Sequence, residues 1–109
     1  MIEGLWIVQY EGIQGSGGGV AVFVNGKVLG GDTGYTYEGV YAVRDNVVSA
    51  RVRVSNFLPG VPNVTGINGD FELEINAPLT GNVIRGAMSV VGAPKTAGIV
   101  VRLTKKASL

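Results

Sequence analysis

The chain has 109 residues, 46% of them hydrophobic, which suits one domain over residues 1–109 with one core. Nine Lys and Arg against eight Asp and Glu leave a net charge of +1, too weak a field to steer the chain toward nucleic acid or anionic lipid. The absence of His and Cys removes thiol nucleophiles, disulfides, imidazole bases and the commonest metal ligands, so a chain with no enzymatic activity, no cofactor and no metal is expected.

Met1-Ile2-Glu3-Gly4 places an acid where a secretory signal carries basic residues, and no apolar run approaches membrane-spanning length, so a cytoplasmic protein is expected. Period-2 alternation then dominates the chain, and no window carries an apolar stripe at helical spacing. A first strand is predicted from Gly4 to Glu11. The stretch Gly12 to Gly19 reads as a long, flexible hairpin loop, leading into a strand at Val20 to Val24. Asn25-Gly26 before Lys27-Val28-Leu29 predicts a type I′ hairpin, because both central residues of that turn need positive φ.

Gly30 to Gly34 turns the chain into Tyr35 to Val43, where Tyr35, Tyr37, Gly39 and Tyr41 share one face. Arg44-Asp45-Asn46 predicts the next turn. From Val47 to Val54, Val48, Ala50, Val52 and Val54 alternate with Ser49, Arg51 and Arg53. Phe57 to Gly69 reads as an irregular connection. Phe71, Leu73 and Ile75 then alternate with Asp70, Glu72 and Glu74, so Arg51 and Arg53 can face Glu72 and Glu74 across an outer surface. Strands at Asn82 to Val91 and Gly98 to Thr104, separated by Gly92 to Thr96, bring the count to about eight. The prediction is an all-β meander closing into an antiparallel up-and-down barrel, which removes exposed sheet edges.

The candidate chemistry is sparse. Glu72 and Glu74 fit a solvated strand face better than a carboxylate pair for acid–base work, and Gly15-Ser16-Gly17-Gly18-Gly19 precedes a strand, not the helix that a phosphate-binding loop needs. Arg51, Arg53, Arg85 and Arg102 alternate away from the aromatic residues, so phosphate contact and base stacking do not coincide and no direct nucleic-acid binding is expected. Asn63-Val64-Thr65 matches a glycosylation acceptor, a pattern that chance supplies in a chain without a secretory signal.

The apolar face holds the candidate binding residues. Trp6, Val8, Tyr10, Tyr35, Tyr37, Tyr41, Val52, Phe71 and Met88 are expected to line the barrel interior, with Val22 and Val24, as a ligand cavity or a packed core. Small residues at Gly39, Ala50, Gly86 and Ala87 leave room there if they point inward. Tyrosine hydroxyls in that interior need partners. Val20, Val22, Phe23 and Val24 form a strand apolar on both faces, which predicts a homodimer interface.

Two resemblances add to this reading. Gly4-Leu5-Trp6 opening a meander is similar to the start of lipocalin-type barrels, in which a late Arg, here Arg102, packs over the Trp. The stretch Gly30 to Tyr41, with the preceding Val20 to Gly26 hairpin, resembles the GrlR family of bacterial regulators. That resemblance implies a lipocalin-like barrel, usually dimeric, that represses type III secretion genes by sequestering a transcriptional activator, with an apolar cavity able to take a lipid-like molecule. It also implies a partner-binding hairpin after the Tyr-rich strand. Here the hairpin reads Val43-Arg44-Asp45-Asn46 in place of the family's acidic Glu-Asp-Glu-Asp, so one matching aspartate remains. The expected function is regulation through a protein contact; the alternative is a carrier or sensor of a small apolar ligand.

Overall fold

The computed structural model describes residues 2–12, 15–61, 69–92 and 98–109. Its strands are β1 (Gly4–Gly12), β2 (Gly15–Val24), β3 (Lys27–Gly31), β4 (Tyr35–Arg44), β5 (Val47–Asn56), β6 (Phe71–Thr80), β7 (Val83–Val90) and β8 (Ile99–Ser108). Each pairs antiparallel with its sequence neighbours, and β1 also pairs with β8, closing the sheet into an eight-stranded up-and-down barrel. Among the described residues, no helix is long and apolar enough to cross a membrane.

The two ends of the barrel differ in their turns. At one end lie two-residue hairpins. Asn25 and Gly26 both have positive φ, as do Asp45 and Asn46, and Gly81 begins the third turn with φ of 60°. The paired positive values are those of type I′ turns, whose twist matches the flanking strands. Each turn also ties the barrel to the next strand along. The carbonyls of Gly26, Asn46 and Asn82 accept the amides of Tyr41 (2.9 Å), Leu79 (2.8 Å) and Lys105 (2.9 Å). The opposite end carries the longer connections; Pro62 to Asn68 of the Phe57 to Gly69 connection and Ala93 to Thr96 of the Gly92 to Thr96 turn lie outside the described residues, as does Asn63-Val64-Thr65.

Alternation sorts the strands into an apolar inside and a charged outside. Val48, Ala50, Val52, Val54 and Leu73 are buried, Phe71 and Ile75 pack against them, and Arg51 and Arg53 lie on the outer face. There Arg51 meets Glu72 at 3.2 Å and Glu74 at 3.9 Å, while Arg53 meets Asp70 at 3.7 Å. These pairs are exposed and contribute at most about 1 kcal/mol each.

Four expectations need correction. The glycine run from Gly15 is not a loop: Gly15 to Val24 is continuous strand paired with β1, Glu11 opposite Ser16 and Tyr10 opposite Gly17. Val22 and Val24 point outward, because Ala21 and Phe23 take the inward positions of β2. Phe23 is therefore core, 3% exposed, and does not belong to an outer interface. Arg102 lies exposed opposite Gln9, and does not cover Trp6.

The tight-turn end is sealed from within. Trp6, 1% exposed, packs against Phe23 at 5.6 Å between ring centroids, and Phe23 packs against Tyr41 at 5.0 Å. The indole N–H donates to the Ile2 carbonyl at 2.8 Å, so the polar edge of the ring is satisfied. Truncating Trp6 to Ala is expected to cost about 3–5 kcal/mol in urea unfolding, whereas Arg51→Ala is expected to cost less than about 1 kcal/mol. Equal costs for the two variants would contradict this division between core and surface.

Candidate functional site

Above the aromatic seal the interior is not filled. A cavity of about 80 Å³ remains, several times the 10–15 Å³ or so that one water needs. Val8, Val52, Phe71 and Met88 line it, as do Tyr10, Tyr35 and Tyr37. Trp6 and Tyr41, grouped with them by alternation, point inward but sit below the cavity in the aromatic seal. Ala21 and Ile99 line it without having been singled out from the sequence, as do Leu73, read there only as an apolar strand position, and Phe23, read there as an interface residue. Of the four small residues expected to make room, only Ala50 borders the cavity. Ala87 faces outward, the space beside Gly39 is taken by the β5 backbone at Arg51 and Val52, and that beside Gly86 by Ala77.

Beside the cavity, whose surface is almost wholly apolar, lies a polar cluster built around Asp32, in the turn between β3 and β4. Its Oδ1 accepts the amides of Gly34 at 3.1 Å and Tyr35 at 3.0 Å, a side-chain turn that fixes the entry into β4. Its Oδ2 accepts the hydroxyls of Tyr10, at 2.6 Å, and Tyr37. Both carboxylate oxygens are thus fully engaged, and two phenols from strands on either side of β2 and β3 converge on one acid. Tyr35 is held separately, its hydroxyl donating to the Val61 carbonyl at 2.7 Å.

The glycines of β2 make this convergence possible. A Cβ at Gly17 would stand 2.7 Å from the Tyr10 ring, and one at Gly19 would stand 2.5 Å from the Gly31 carbonyl and 3.0 Å from both Asp32 and the Tyr37 hydroxyl. Any larger residue would displace the ring or the turn. Sequence reasoning missed Asp32 because a turn aspartate needs no further role. The available signal was the presence of two inward tyrosines that require an acceptor.

The remaining candidates lie on the outer surface. Val43, Arg44, Asp45 and Asn46 form the exposed tip of the β4–β5 hairpin at the tight-turn end, far from the cavity mouth in sequence register. Arg85 and Arg102 stand directly opposite one another on β7 and β8. Among the described residues, no group of three or more acidic side chains is arranged to hold a metal ion.

Burial, and then the hydrogen bond to Asp32, pushes the Tyr10 hydroxyl up to about 12 and raises that of Tyr37 as well. Both are therefore neutral donors at physiological pH. Since the folded-state values lie above the unfolded value of 10.0, the cluster's contribution to stability is complete below about pH 10 and is lost as pH rises toward 12 and beyond. Spectrophotometric titration is expected to show a phenol ionising near 12 that Tyr10→Phe removes. Ionisation of Tyr10 near pH 10 in the folded protein would contradict the geometry.

No curated protein matches the chain significantly. The family model described as "T3SS negative regulator, GrlR" matches residues 1–107, nearly the whole barrel and every residue of the cavity and the hairpin tip. The chain thus belongs to the GrlR family of type III secretion negative regulators.

Proposed function

We propose that this protein is a non-enzymatic cytoplasmic regulator that represses by holding a protein partner, a transcriptional activator, and that it does so as a homodimer. The observation that carries this reading is an apolar stripe on the outside of β1 to β3, with Val40 of β4 beside it. Ile7 lies opposite Val20, and Leu5, Val22 and Leu29 follow one another across three strands. Leu29 is 46% exposed and Val20 44%; on β4 Glu38 stands opposite Leu29, and exposed Val40 lies diagonally beyond it, opposite Lys27. A barrel wall with a filled or lined interior needs no second apolar face, and contiguous exposed patches of this kind mark protein interfaces. A self-complementary patch on one face suits a two-fold dimer.

The rest of the outer surface supports a protein that works in water. Arg51, Arg53, Glu72 and Glu74 lie outside while the interior is apolar, the reverse of a barrel that faces lipid. The hairpin tip offers a second contact for the activator. Val43 and Val47, each about 40% exposed, stand on opposite faces of the hairpin beside exposed Arg44 and Asp45, so the tip is of mixed character where the family contact is acidic.

A second reading rests on a different observation, the apolar cavity of about 80 Å³, which suits a small apolar ligand. The two are compatible, with a ligand inside and a partner outside the same wall.

In light scattering the wild-type chain is expected to be a dimer at micromolar concentration, and the double variant Val20→Glu, Leu29→Glu a folded monomer. Expression in a bacterium carrying a type III secretion reporter is expected to lower reporter output, with the activator co-purifying, and Val43→Asp with Val47→Asp to weaken both. A wild-type monomer would overturn the dimer; unchanged reporter output with no retained activator would overturn the regulatory reading.

A further inference from the structure

We infer that the outer face of β7 and β8 is a docking surface for an acidic segment of another protein, centred on Arg85 and Arg102 and separate from the apolar stripe of β1 to β3.

The net charge of +1 conceals a division along the chain. All eight acids but only four of the nine Lys and Arg precede Gly81, a net of −4, whereas residues 81–109 hold Arg85, Lys95, Arg102, Lys105 and Lys106 with no acid, a net of +5. The fold turns this division into a wall, because β7 and β8 are neighbours and carry four of those five cations. Arg85 and Arg102 stand directly opposite one another, both exposed. Like charges so placed weaken the strand pairing. Among the described residues no acid lies within ion-pair distance of either, and the remaining residues contain no Asp or Glu.

The β5–β6 wall shows the complement that this one lacks. There Arg51 and Arg53 meet Asp70, Glu72 and Glu74, acids at alternate positions of an extended segment, at 3.2 to 3.9 Å. Those acids are already engaged, so another copy of this chain does not supply what Arg85 and Arg102 lack. A different chain with Asp or Glu at alternate positions does, since its carboxylates accept from both guanidinium groups.

A groove of about 360 Å³ beside the two arginines gives such a segment a seat. Gln9, opposite Arg102, and Ser16 line it and add neutral donors for carboxylate oxygens. Glu11, opposite Ser16, lines it too and repels an anion at that end, which places the bound acids at the arginine end. Nucleic acid and lipid fit less well. Residues 81–109 contain no Phe, Tyr or Trp, so the wall has no platform for base stacking and no ring to enter a bilayer.

The experiment is an NMR titration of the full chain, at neutral pH and low salt, with a capped peptide of alternating Glu and Ser and with its Gln–Ser counterpart. The Glu peptide is expected to bind about tenfold or more tightly than the Gln peptide, to move the Arg85 and Arg102 side-chain signals, and to weaken as salt rises. Arg85→Gln with Arg102→Gln is expected to abolish the preference in a folded chain at least as stable to urea as the wild type, because a repulsion is removed. Arg51→Gln with Arg53→Gln changes the net charge equally and is expected to keep the preference. Equal binding of the two peptides by the wild-type chain, or equal loss in both double variants, overturns the inference. An oligothymidylate or phosphatidylglycerol vesicles held more tightly than the Glu peptide, through the same two arginines, would assign the wall to nucleic acid or membrane and overturn it as well.

Discussion

The pairing of β1 with β8 is the constraint from which the rest of the molecule follows. It runs from Gly4 opposite Ser108 to Glu11 opposite Val100, with one register shift between Leu5 and Trp6. Without it the sheet would have two free edges and no defined inside, and alternation along each strand would separate only two faces of a ribbon. With it, every second residue of eight strands is committed to one small volume. Eight strands enclose a space that side chains nearly fill. The Trp6, Phe23 and Tyr41 rings complete that filling at one end, and at the other Tyr10, Tyr37 and the Asp32 turn occupy the room that the glycines of β2 leave.

Those glycines explain how so small a chain accommodates a polar cluster inside its wall. Side chains at Gly17 and Gly19 would add hydrocarbon to the core, which a chain of 109 residues has reason to use. Their absence admits the Tyr10 ring and the Asp32 turn instead. The volume is thereby exchanged for a polar cluster in which one carboxylate accepts four hydrogen bonds. A buried network of this kind is tolerated because each member is satisfied. The same carboxylate shapes the β3–β4 turn and ties β1 to β4 through the two phenols.

Much of the barrel was legible in the sequence, because the signals that set it are local. Asn25-Gly26 fixed one turn through φ alone, and Val48 to Val54 against Arg51 and Arg53 fixed one wall through alternation. The failures have physical causes too. The Gly15 to Gly19 run lacks side chains, so it carries no alternation and reads as loop; only its partner strand shows it to be β. Val20 to Val24 is apolar at every position, so parity could not be assigned, and Phe23 was placed outside when it is core. Trp6 and Tyr41 were correctly sent inward, yet their depth below the cavity depends on strand stagger, which no single strand encodes. Asp32 was overlooked because its two tyrosine partners lie far from it in sequence or across a turn.

The proposed regulation by protein contact depends on the outer stripe of β1 to β3, with Val40 beside it, being a surface that meets another chain. An isotope-filtered NOE experiment on an equal mixture of labelled and unlabelled protein observes this directly. The account predicts intermolecular contacts at the methyl groups of Ile7, Val20, Leu29 and Val40, and none at the interior methyls of Val52 and Leu73. An absence of intermolecular contacts at the stripe, or contacts confined to exposed Phe57 and Leu58 at the other end of the barrel, would contradict it.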